Sequence, residues 1–123
     1  MTASLHLFGN ERAVRVCEQG QTLFEEGQPG DCLYVLRSGR LHVTVGGVVV
    51  EVIEPGGMVG EMALLDDAPR SATVVAAIDS EVVAVDRKRF LFLVQQTPFF
   101  SLDVMRVMAD RLRAMNQRLV RAS

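Results

Sequence analysis

The sequence predicts a mainly β fold with some α: an antiparallel β-roll of the double-stranded, jelly-roll type, followed by C-terminal helices. Three observations lead there. Seven short β-type runs, dominated by valine, succeed one another between Ala13 and Asp86, most of them cut by glycine. Apolar and polar side chains alternate in "RLHVTV", which puts Leu41, Val43 and Val45 on one face. At Asp86 the period changes from two to the three-and-four spacing of a helix. Short strands at regular spacing with glycine turns indicate an antiparallel sandwich, roll or barrel.

The elements follow in order. "AVRVCEQG" and "QTLFEEG" open the series, then "DCLYVLRSG", "RLHVTVGG" and "VVVEVIEPGG", and later "SATVVAAI" and "EVVAVD". Gly46-Gly47, between two valine-rich runs, predicts a two-residue hairpin, because primed turns need positive φ. Asp86 is placed to cap a helix starting at Arg87, with Phe90, Leu91 and Val94 at helical spacing. Thr97 and Pro98 suit the N-cap and first turn of a second helix. Within it Met105, Met108, Leu112, Met115 and Leu119 recur at threes and fours, a heptad-like seam expected to pack on the roll or on a partner helix. The expected layout is a single domain over 1–123, with the roll at about 12–86 and helices at about 87–96 and 98–120.

Composition narrows the class. The chain has 123 residues, 49% hydrophobic and 23% charged, as in ordinary globular domains, with a formal net charge of -2. Nothing in that balance draws it to nucleic acid or to an anionic membrane. Glu51 interrupts the longest apolar run, far short of the roughly 18 residues of a spanning helix. The first twelve residues lack the basic and apolar regions of a signal peptide. Cys17 and Cys32 read as free thiols in a reducing compartment, and the expected location is the cytoplasm. His6 and His42 read as solvated, neither cysteine has an evident histidine partner, and no metal site is expected, so an enzyme is not indicated.

The chemistry concentrates in "VGEMALLDDAPRSATV". Gly56, Gly57 and Gly60 permit a tight turn, and "GEMALL" predicts a helical turn whose first N–H groups suit a phosphate. Arg70 stands before a strand and can fork onto phosphate oxygens, with Ser71 adding a hydroxyl and Ala72 an N–H. Glu61 can accept from sugar hydroxyls. Taken alone, the pair could equally be loop charges or a surface ion pair worth about 0–1 kcal/mol. Asp66 and Asp67 read as the solvated tip of the intervening loop.

The stretch as a whole is more specific. "VGEMALLDDAPRSATVVA" resembles the phosphate-binding cassette of cyclic nucleotide-binding domains. "LFEEGQPGDCLYVLRSG", with Gly27, Gly30, Asp31 and Gly39 around Leu33–Leu36, resembles the first signature of the same family. Phe24 departs from the smaller or β-branched residue more usual there. The resemblance implies a sensor module for cAMP, less so cGMP, without catalysis or direct nucleic-acid contact. It implies that Glu61 binds the ribose 2′-hydroxyl and Arg70 the cyclic phosphate. Ser71, Ala72 and the backbone of Gly60, Glu61, Met62 and Ala63 would complete the phosphate nest. Counting without gaps puts the base contacts on the last helix at Met115 and Asn116, and Arg111 could reach Glu61 or the base. The output it implies is a movement of that helix, with a second copy or an effector as partner. The competing expectation is a degenerate roll that only dimerises through the Met/Leu seam.

Overall fold

The computed structural model describes residues 14–66 and 68–122; the expectations for His6 and Asp67 fall outside them. Among the described residues, eight strands pair antiparallel in two four-stranded sheets. In the first, β1 (Val14–Cys17), β8 (Ser80–Asp86), β3 (Cys32–Ser38) and β6 (Met58–Val59) are neighbours in that order. In the second the order is β2 (Thr22–Phe24), β7 (Thr73–Ala76), β4 (Leu41–Val45) and β5 (Val48–Ile53). Each of the seven expected runs contains a strand. Only β6 was unforeseen: two residues are too few to show alternation, yet their pairing with Tyr34 and Val35 anchors the chain just before Gly60.

One sheet is buried on both faces, which explains its continuous apolar runs. Leu36, Val59 and Val82 point between the sheets with Leu23, Phe24, Leu41 and Val74. Leu33, Val35, Val83 and Val85 point outward onto Phe100, Val104 and Val107. The β4–β5 hairpin turns on Gly46 and Gly47, with φ of 57° and 82°, the conformation a primed turn requires.

Asp86 accepts a hydrogen bond from Arg89 N–H at 2.8 Å and caps α1 (Arg87–Gln96), a contact worth about 1 kcal/mol. The second helix, α2, spans Phe99–Ala122, and Pro98 lies in the turn just before it. Its packing stripe differs from the expected seam. Phe100, Val104 and Val107 are buried against the roll with Met108 of the expected seam packed beside them, whereas Met105, Leu112, Met115 and Leu119 are each more than half exposed. Helical spacing describes both stripes equally; Phe100, fully buried against Phe90 at 5.7 Å between ring centres, selects the one that faces inward. Burying such a ring contributes about 1.5–3 kcal/mol.

Candidate functional site

The Glu61-to-Arg70 stretch forms one wall of a cavity of about 800 Å³, within the size range of small-molecule sites. Sheet strands β4 and β5 form another wall, and α2 lies over the opening with Val107, Arg111, Ala114, Met115 and Arg118 toward it. Gly60 takes a left-handed conformation, φ 80°, and turns the chain from β6 into a four-residue 3-10 turn, Glu61–Leu64. Its first N–H groups have no partner within the turn. Ala63 N–H is already committed to the Gly60 carbonyl at 3.2 Å, so the backbone donors of the nest reduce to the start of the turn.

Arg70 is fixed from the other signature stretch. Its N–H donates to the Gln28 carbonyl at 2.8 Å, and its carbonyl accepts from Gly27 N–H at 2.9 Å. The guanidinium lies over the Phe24 ring at 4.2 Å, and Arg70 as a whole is only 9% exposed. It donates to the Gly60 carbonyl at 3.3 Å and, weakly, to Cys32 Sγ at 3.9 Å. Its Nε is buried without any partner, and no carboxylate among the described residues pairs with it. Gly30 makes this possible: a Cβ there would overlap the guanidinium. A buried cation with an unmet donor is costly to maintain, and a bound anion relieves that cost. Ser71 and Ala72 line the same cavity ahead of β7.

Glu61, with a side chain 7% exposed, meets Arg111 of α2 at 2.5 Å from Oε2 to NH1. Arg111 also donates from Nε to Glu51 Oε1 at 2.8 Å and from NH2 to the Met58 carbonyl at 2.5 Å. Burial alone would lower its pKa, but the Glu61 and Glu51 carboxylates more than compensate and raise it. The Tyr34 phenol is pushed up by burial and by its hydrogen bond with Cys32, against the pull of Arg15 and Arg70. Among the described residues no cluster of three His, Cys, Asp or Glu comes together. Nor is any described helix long and apolar enough to cross a membrane.

Of the residues singled out in the sequence, Gly60, Glu61, Met62, Ala63, Arg70, Ser71, Ala72 and Arg111 all line this cavity. Asn116 does not: it is exposed, and Met115 and Arg118 face the cavity in its neighbourhood. The lining residues of α2 occupy an arc bounded by Asp110 and Met115, and Asn116, about 100° past Met115 on a helix of 3.6 residues per turn, falls outside it. His42 is half-buried in β4 and not fully solvated. Phe24, Gly30 and Glu51 went unrecognised as parts of the site. The available signal was Glu51, a lone carboxylate in "VVVEVI".

The two-sheet antiparallel roll thus places a buried guanidinium and a buried carboxylate in one cavity, the contacts an anionic, hydroxyl-bearing ligand would need. The family model described as the cyclic nucleotide-binding domain matches residues 14–97. Among curated proteins, the cyclic AMP receptor protein of Thermus thermophilus is 35% identical over 104 residues, covering 80% of this chain and 48% of that one. The cGMP-dependent protein kinase of Eimeria tenella is 38% identical over 85 residues, 69% of this chain and 8% of the kinase. The crystal structure of Thermus thermophilus catabolite activator protein superposes with a TM-score of 0.75 at 30% identity, covering 92% of this chain and 61% of that one. The chain therefore belongs to the cyclic nucleotide-binding domain family. It spans at most about half the length of these curated relatives.

Proposed function

We propose that this chain is a regulatory module that binds a cyclic mononucleotide, cAMP in preference to cGMP, and answers by repositioning α2. The observation that carries the reading is Arg70, buried with an unmet Nε donor in the same cavity as Glu61. A cyclic phosphodiester bears one negative charge and matches one guanidinium. In this reading the phosphate takes Arg70, the N–H groups at the start of the Glu61 turn and Ser71, while Glu61 accepts from the ribose 2′-hydroxyl. The base extends between the valines of β4–β5 and Met115 on α2, an apolar sandwich. The preference for cAMP draws on the likeness to a protein named for that nucleotide. Because Arg111 reaches from α2 to Glu61, a ligand that engages Glu61 bears directly on where the helix sits.

Calorimetric titration with cAMP and cGMP tests this, with saturable heat expected from both and tighter binding for cAMP. No heat from either at high concentration would reject the receptor reading. It would leave the second reading, a module that only pairs with another copy. The specific observation behind that one is the exposed row of Met105, Leu112 and Met115 on α2.

A further inference from the structure

The edge strand β5 carries one charge, Glu51, among valines and an isoleucine. Register settles where it points. Leu41 pairs with Ile53 and Val43 with Glu51, so these four share the inner face of the hairpin. Leu41 and Ile53 are buried there, while Glu51 reaches the cavity wall. A carboxylate placed on an otherwise apolar face requires a partner, and α2 supplies it.

Arg111 meets Glu51 as a fork, Nε to Oε1 at 2.8 Å and NH2 to Oε2 at 3.4 Å. With the Met58 carbonyl on NH2 as well, one edge of the guanidinium is fully placed. A guanidinium is planar, so fixing that edge fixes the direction of NH1. NH1 is the atom that meets Glu61 Oε2, leaving the other carboxylate oxygen for a ligand. One turn pair further along α2, Arg118 donates to the Val50 carbonyl, so the helix grips the same strand twice.

We propose that Glu51 is a positioning residue of the sugar site: it aims Arg111, and Arg111 holds Glu61 for the ribose 2′-hydroxyl. This rests on the receptor reading above. As an isolated ion pair, Glu51–Arg111 would count for little, being partly exposed. Its effect is on the orientation of a buried carboxylate, where a small misplacement costs binding.

The test uses cAMP and 2′-deoxy-cAMP, which lacks the hydroxyl assigned to Glu61. Both are titrated into the wild type, Glu51→Ala, Glu51→Gln, Arg111→Ala and the double Glu51→Ala/Arg111→Ala variant. Glu51→Ala is expected to weaken cAMP about three- to tenfold and 2′-deoxy-cAMP by less than about twofold. Glu51→Gln, which keeps an acceptor, recovers part of the loss, and the double variant binds no more weakly than Arg111→Ala alone. Equal weakening of both ligands, or additive losses in the double variant, overturns the proposal and marks Glu51 as a direct contact or a stability residue. A wild type that binds neither nucleotide overturns the receptor reading together with this one. Normal cAMP binding by Glu51→Ala overturns this one alone. Thermal unfolding establishes that each variant is folded, and Glu51→Gln carries the comparison should Glu51→Ala not fold.

Discussion

Two arginines face the same cavity in opposite states. Arg70, on the cassette, is buried over Phe24 with weak partners and an unmet Nε donor. Arg111, on α2, is joined to two carboxylates and a carbonyl. The first leaves a buried donor unmet, so an anion there would gain a contact without breaking an ion pair. The second is an interaction already made within the protein, so a ligand reaching Glu61 must share or replace it. Affinity is therefore expected to come mainly from the phosphate end and the conformational response mainly from the helix end, since of the two arginines Arg111 is the one with ion pairs to exchange.

Three substitutions probe that division. Arg70→Ala should have the largest effect, weakening cAMP roughly tenfold to a hundredfold, the worth of a charge-assisted hydrogen bond. The fold should survive, because the change also removes an unmet buried donor; calorimetry paired with a thermal melt reads both. If binding persisted at wild-type strength, the phosphate would sit elsewhere and the asymmetry would dissolve. Gly30→Ala comes next. Its Cβ would displace the Arg70 guanidinium, while Gly30 has no positive φ to strain. A loss of about tenfold with little change in Tm is expected; an unaltered Kd would mean that the guanidinium moves aside at no cost. Asn116→Ala should do least, changing Kd by less than about twofold, as for other exposed positions away from a site. A larger loss in that variant would show that α2 rotates on binding and turns Asn116 inward.

Much of the site was legible along the chain because the cassette is local. Gly60, Glu61, Arg70, Ser71 and Ala72 lie within thirteen consecutive positions, and short-range chemistry suffices to read them. The helix side of the cavity was less legible. It is assembled from β5 and α2, and Glu51 meets Arg111 across 60 residues. Asn116 lies off the cavity lining because an ungapped count carries position but not the direction a side chain takes around a helix. Gly30 was read as part of a signature, but its role as clearance for Arg70 depends on a contact 40 positions away.

Strand alternation, the Gly46-Gly47 turn, the Asp86 cap and the turn at Gly60 each depend on neighbours within a few residues, and the amino-acid order was enough to specify them. Which stripe of α2 packs inward was another matter. So was the depth at which Arg70 is buried and the pairing of Glu51, Arg111 and Glu61. Those outcomes follow from volume and charge brought together by the folded sheets. A periodic pattern states that a face exists, and only packing against a particular surface selects the face that is used.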